Sequence, residues 1–112
     1  MKLKVDARAL IHEIAYEAFK GKDRWGEETF GEPVRVENCR VDLAGVYQHT
    51  GSERKLVAKG IVFCYASATV PFLEFKEQSK VSFNGEAFVI VKAIPVYEPW
   101  QNTLFGYELE VV

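Results

Sequence analysis

The chain of 112 residues is short of the residue types from which active sites are usually built. It has two histidines, two cysteines and one methionine. A nucleophilic site needs a Ser, Cys or Thr with a base beside it. His12 lies in an apolar segment and His49 in a Gly/Ser/Thr-rich stretch, and no nucleophile elbow or family signature pairs either with Cys64 or Ser67. Metal sites want clustered ligands, yet no C-x-x-C or H-x₃-H occurs and Asp42 stands without neighbours. The Glu27-Glu28 and Glu108/Glu110 pairs read as solvated surfaces, and Gly26 and Gly31 fit neither nucleotide-binding pattern. The reading is therefore a non-enzyme with no catalytic, cofactor-binding or metal-binding residues and no small-molecule substrate.

Charge of one sign is also missing. A formal net charge of −2 lacks the cationic excess of free-standing nucleic-acid-binding domains, leaving room only for a local basic patch. Long hydrophobic runs are absent, so no segment reads as a membrane span. The opening residues lack the apolar stretch and small-residue cleavage site of an exported chain. These features predict a soluble, non-exported protein in which Cys39 and Cys64 are small buried hydrophobes rather than a disulfide.

What is present is a strong apolar and aromatic content. The chain is 48% hydrophobic, with eight Phe, five Tyr and two Trp, enough for a real core and too much for a disordered chain. No repeat or linker divides it, which predicts one domain over residues 1–112. The clearest local signal is Asn84-Gly85 between two apolar runs. A type I′ hairpin turn needs positive φ at both central residues, and this dipeptide supplies it most readily. Phe105, Tyr107, Leu109 and Val111 alternate with Gly106, Glu108 and Glu110, a half-buried strand with an acidic outer face. The run Phe88-Val-Ile-Val91 with Ala93-Ile94 is apolar on both faces, which predicts a central strand covered on both sides, with Lys92 reaching past its stem to solvent.

Two irregularities are equally informative. Across residues 34–43 the apolar phase changes from Val34 and Val36 to Cys39, Val41 and Leu43, predicting a bulge or bend near Asn38 of the kind that closes small barrels. Residues 56–66 read as another strand, with Gly60 a kink or a close backbone approach. Residues 10–19 stay ambiguous. Leu10, Ile14 and Ala18 have helical spacing with Asp6 and Gly21 as caps, while Leu10, His12, Ile14 and Tyr16 also fit one face of a strand.

Residues 21–33, 44–55 and 98–104 read as long polar loops with embedded aromatics, and loops on a strand scaffold tend to carry function. Six residues on them are candidates for an assembly interface: Trp25, Tyr47, His49, Arg54, Lys55 and Trp100. Arg54 and Lys55, with Lys59, form the one cationic cluster, which is either a solvated loop base or a contact for phosphate or an acidic neighbour. A loop tryptophan usually closes the end of a small core; left exposed, it becomes an interface anchor.

The ordered series of segments resembles the minor capsid proteins of tailed bacteriophages and prophages. The likeness runs through Asp23-Arg-Trp-Gly-Glu-Glu-Thr-Phe-Gly-Glu-Pro-Val-Arg-Val-Glu-Asn-Cys-Arg-Val-Asp42, then Phe75-Lys-Glu-Gln-Ser-Lys-Val-Ser-Phe-Asn-Gly-Glu-Ala-Phe-Val-Ile-Val-Lys92, Ile94-Pro-Val-Tyr-Glu-Pro99 and Tyr107-Glu-Leu-Glu-Val111. Leu10-Ile-His12 with Tyr16 is similar to the family's first strand. Where such chains often carry paired histidines before the closing strand, this one has Leu104-Phe105-Gly106, so no role of those histidines transfers.

The resemblance implies an all-β fold, a small closed or partly open antiparallel β-barrel with long loops and room for one short helix, with residues 10–19 a strand. It also implies a head–tail connector, assembled in the host cytoplasm, that joins other copies of itself into a ring at the head–tail junction. There it would meet portal, connector or tail proteins, with DNA passing nearby without sequence-specific binding, in head completion and tail joining. The rival expectation is a monomeric small-barrel module that binds nucleic acid or a protein ligand.

Overall fold

A computed structural model describes residues 6–112 of the chain. Residues 1–5, read above as lacking a leader, lie outside the described part. The described chain opens on a single 3₁₀ turn, Ala7–Ala9, with the Asp6 carboxylate accepting the Arg8 N–H at 3.0 Å. Ten strands follow: β1 (His12–Glu17), β2 (Phe19–Lys22), β3 (Glu28–Phe30), β4 (Val34–Asp42), β5 (Val46–Thr50), β6 (Glu53–Ala58), β7 (Gly60–Tyr65), β8 (Lys80–Phe83), β9 (Glu86–Tyr97) and β10 (Leu104–Val111). Six of them close an antiparallel barrel in the order β1-β4-β7-β10-β9-β8, with β8 pairing back onto β1. The other four form two hairpins outside it, β2–β3 and β5–β6. The ambiguous N-terminal segment is thus strand, because Ile14 and Tyr16 enter the barrel core at period two.

The phase change around Asn38 is a bulge. His12 opposes Cys39 and Glu13 opposes Glu37, so Asn38 is left over, at φ 59°. On one side of it β4 pairs with β1; on the other, Arg40, Val41 and Asp42 pair with β7. The strand therefore turns a corner of the barrel at this residue. Segment 66–79 crosses the bulge and fastens it. Thr69 donates its hydroxyl hydrogen to the Asn38 carbonyl at 2.8 Å and accepts the Tyr65 N–H at 2.8 Å, while Glu37 and Val70 exchange backbone hydrogen bonds. The same segment inserts Phe72 and Phe75 against Tyr16 and Tyr107, with edge-on ring contacts at 5.1 Å for Tyr16–Phe75 and 5.6 Å for Phe75–Tyr107.

The core is formed by Val36, Cys39, Val41, Val62, Cys64, Val81, Ile90, Leu109 and Val111 on the inward positions of the barrel strands, with the aromatics at one end. Both cysteines are free and buried. Asn84 and Gly85 have φ 50° and 80°, the type I′ turn that the dipeptide implied, and join β8 to β9.

Four expectations need correction. Residues 44–55 are not a loop but most of the β5–β6 hairpin, turning at Gly51, whose φ is 62°. Their side chains are polar on both faces because the hairpin meets the body only near its base, so no apolar stripe marks it. Residues 21–33 likewise contain the end of β2 and all of β3. The strand expected over 56–66 is two strands. At the joint Gly60 approaches β4 so closely that a Cβ there would lie 2.5 Å from the Asp42 carbonyl oxygen, and the chain passes from the hairpin into the barrel. Finally, β9 is central, between β8 and β10, but it is not covered on both sides. Val89 and Val91 are 40% and 44% exposed. Between Ile90 and Lys92 the pairing with β10 slips by one residue, leaving Val91 in a bulge and making the apolar run look two-sided.

Candidate assembly surface

The outward-projecting hairpins position most of the residues singled out above. On β5–β6, Tyr47 opposes Leu56 and His49 opposes Arg54, so these four side chains share one face. The Arg54 guanidinium lies 3.7 Å from the Tyr47 ring centroid, a stacked cation–π pair that holds both side chains in place. Lys55 opposes Gln48 on the other face. Tyr47, His49, Arg54 and Lys55 are all exposed; the structure places the first three on one face of the hairpin and Lys55 on the other.

At the hairpin base is an open groove of about 330 Å³ lined by Leu43, Gly45, Tyr47, Leu56, Lys59, Glu86 and Phe88. Leu43 and Leu56 are about half exposed within it. Gly45 keeps the groove open, since a Cβ would lie 2.9 Å from the Leu56 side chain and 3.2 Å from the Tyr47 ring and would push these exposed side chains aside. Apart from Tyr47 and Lys59, sequence reasoning missed these lining residues. The signal was the pairing of Tyr47 and His49 with Arg54 and Leu56 across a Gly51-Ser52 turn, visible once the stretch is read as a hairpin.

Trp25 stands elsewhere, on the turn between β2 and β3, and is 73% exposed. That turn is tightly built. The Asp23 carboxylate accepts the Trp25 N–H at 2.9 Å and the Glu27 N–H at 3.0 Å, and the Asp23 N–H donates to the Glu27 carbonyl at 2.8 Å. The Arg24 guanidinium lies 4.5 Å from the Trp25 ring centroid. Below the tip, Phe19 and Phe30 meet edge to face and the Lys80 ammonium sits 4.3 Å from the Phe30 centroid. Trp100 lies on the turn between β9 and β10 and is 66% exposed. Neither tryptophan closes the core; both are left as exposed aromatic surface.

The histidines do not meet a nucleophile. His12 is half-buried, its Nδ1 accepting the Val41 N–H at 3.0 Å and its ring edge-on to Phe83. Cys39 Sγ donates to the His12 backbone carbonyl at 3.4 Å, not to the ring. Burial raises the Cys39 thiol to about 11 and raises Cys64 further, so both are held as thiols. Among the described residues no three His, Cys, Asp or Glu side chains cluster as a metal site would need.

This arrangement suits contact with macromolecules: exposed, ordered aromatics and cations standing off a closed scaffold. Comparison with known proteins agrees. A phage protein described as uncharacterised protein ORF5, from Lactococcus phage LL-H, is 27% identical over 94 residues, covering 81% of this chain and 80% of its own length. An ORF5 protein of Lactococcus phage mv4 is 26% identical over 72 residues, covering 62% of this chain and 64%, under two thirds, of that protein. The sequence profile of the family described as Minor capsid protein matches residues 6–111, nearly the whole chain. The chain belongs to the minor capsid protein family, whose members are structural components of a phage virion.

Proposed function

We propose that this minor capsid protein is a head–tail connector subunit, one copy of a homo-oligomeric ring that completes the head and receives the tail. The observation that carries the reading is the pair of ordered hairpins outside the barrel, each bearing exposed aromatic and charged side chains. A closed barrel leaves its own six strands without free edges, so association falls to what stands outside them. A ring subunit needs two different patches, one for each neighbour, because a heterologous contact closes only by rotation. The slightly acidic chain also suits a passage through which DNA must slide, since strong phosphate binding would hold it back. In this reading β5–β6 reaches into the channel or onto an adjoining ring of portal or tail protein.

The test is excision. Residues 46–57 are replaced by a short turn in the phage genome, and the excised protein is checked for the barrel's own cooperative unfolding. Heads should then fill but fail to retain DNA or to accept tails. An unchanged yield of infectious particles, with the barrel folded, overturns the proposal.

A further inference from the structure

The two hairpins differ in charge as well as in place. Residues 46–59 carry a net charge of +2, from Arg54, Lys55 and Lys59 against Glu53, on a chain whose total is −2. The turn of β2–β3 is the reverse. Residues 23–28 at its tip carry −2, from Asp23, Glu27 and Glu28 against Arg24, while Lys20 and Lys22 on β2 bring the whole hairpin to zero. Each hairpin also presents an aromatic feature that the other lacks. The first holds an exposed indole on a turn fixed by the Asp23 hydrogen bonds; the cationic one holds at its base an open groove in which Leu43, Tyr47, Leu56 and Phe88 lie beside Lys59 and Glu86.

The hairpins stand at different places on the barrel. The β2–β3 hairpin leaves it at the Val34 end of β4, where Val34 pairs with Tyr16, whereas β5 follows the Asp42 end, beyond the corner at Asn38. Two complementary patches on opposite ends of one strand describe a head-to-tail contact between copies.

We infer that the acidic tip of the β2–β3 hairpin of one copy docks on the cationic β5–β6 hairpin of the next, with Trp25 seated in the groove of Leu43, Tyr47, Leu56 and Phe88. This names the contact surface of the ring and rests on that reading for closure, though not for the contact itself. A groove of about 330 Å³ is at the small end of ligand-sized sites, the scale of one inserted aromatic side chain. A preordered exposed tryptophan loses little freedom on burial and is the residue type that most often anchors interfaces. Glu27 and Glu28 flank it and would meet Arg54 and Lys59, with Lys55 on the far face of the hairpin adding to the field that steers the encounter. The hairpin gains as well, because a two-stranded sheet is marginal alone and is stabilised when a partner covers it.

The experiment uses the full ¹⁵N-labelled chain in low salt, with amide spectra recorded over a concentration series. The expected result is that amides of residues 23–30 and 43–57 move together with the Trp25 indole N–H, and that salt reverses the effect. R54E/K55E and E27K/E28K should each weaken association by about tenfold or more, as reversed charge pairs do. An equimolar mixture of the two variants should restore it, since each supplies the charge the other needs. The spectra also report whether each variant is folded. Shifts confined to another surface, or failure of the mixture to recover, overturn the inference while leaving a ring through other contacts intact. No concentration dependence up to the solubility limit overturns it as well. A duplex oligonucleotide that moves the β5–β6 amides when chain concentration does not replaces it with nucleic-acid binding. If the hairpins do pair but cross-linked products grow without a limiting mass, the contact stands and the ring reading fails.

Discussion

Ser79 sits at the joint that aims the Trp25 hairpin, and removing its hydroxyl should show how that hairpin is held. The side chain is fully buried. Its Oγ accepts the Phe19 N–H at 2.9 Å, at the start of β2, and lies 3.2 Å from the Tyr16 hydroxyl, whose oxygen in turn accepts the Lys76 N–H at 2.9 Å. One small hydroxyl thus ties β1, the exit into β2 and the segment before β8. Ser79→Ala leaves the Phe19 N–H without an acceptor and takes one partner from Tyr16. A half-buried orphaned donor costs ~1–3 kcal/mol, so the loss should be about 2 kcal/mol. At about 4 °C per kcal/mol for a chain of this size, the melting midpoint should fall by roughly 8 °C. Tyr16→Phe removes the acceptor of the Lys76 N–H, nearer the surface, and should cost about 1 kcal/mol. Because the two hydroxyls share a bond, the double variant should lose ~0.5–1.5 kcal/mol less than the sum. Urea unfolding at constant slope measures all three, and amide exchange at Phe19 should quicken in Ser79→Ala. Costs that add to within ~0.3 kcal/mol, or an Ser79→Ala loss below ~0.5 kcal/mol, would refute the network.

Two further outcomes follow from backbone and burial. Gly60→Ala should destabilise by ~2–3 kcal/mol, because its Cβ meets the Asp42 carbonyl and Leu43 Cα, which are backbone and cannot swing away; Gly26→Ala, with open space but φ +80°, should cost only ~1 kcal/mol in the same urea titration. The buried thiols give an alkaline signature. Folding raises Cys39 from 9.0 to about 11 and Cys64 in the same direction, so the unfolded chain releases these protons first. The stability tied to the neutral thiols is therefore complete below pH 9 and is lost as pH climbs through the folded values, at ~1.4 kcal/mol per pH unit for each thiol. Cys39→Ala should flatten the fall between pH 9 and 11 by one thiol's share; an unchanged slope would refute the assignment, as would rapid labelling of either thiol in the folded protein.

Much of the barrel is legible in the sequence because its strands have one wet and one dry face. The alternation of β10, the Asn84-Gly85 turn and the phase change at Asn38 each have a local cause that the residues display. Residues 10–19 do not. Their apolar positions fit periods of both two and 3.6, and only closure of β1 between β4 and β8 selects the strand. The β5–β6 hairpin escapes for a different reason: a strand pair with no buried face writes no alternation, so Val46-Tyr-Gln-His-Thr50 looks like a loop. The candidate surface was half visible. Tyr47, His49, Arg54 and Lys55 were identifiable by type and share one hairpin, Lys55 on its far face, while Trp25 and Trp100 sit on other turns. Leu43, Leu56 and Phe88 come from three separate strands or their ends and join in one groove only through the fold.

The architecture also bears on why such a subunit can remain separate until it is needed. Closing six strands into a barrel removes the long edges through which β proteins stack on one another. The edges that persist belong to four short strands of three to six residues, rich in charge and raised off the body. Pairing through them is governed by charge more than by apolar area, so it is weak between two free copies and screened by salt within about 10 Å. Around a ring every subunit makes the contact twice, and the last contact to form is intramolecular, with no further loss of translational freedom. In the proposed ring, weak contacts between charged hairpins on an edgeless scaffold would favour closed assembly on a template over free association in solution, and the same logic expects substitutions in the hairpins, not in the barrel wall, to change assembly without changing stability.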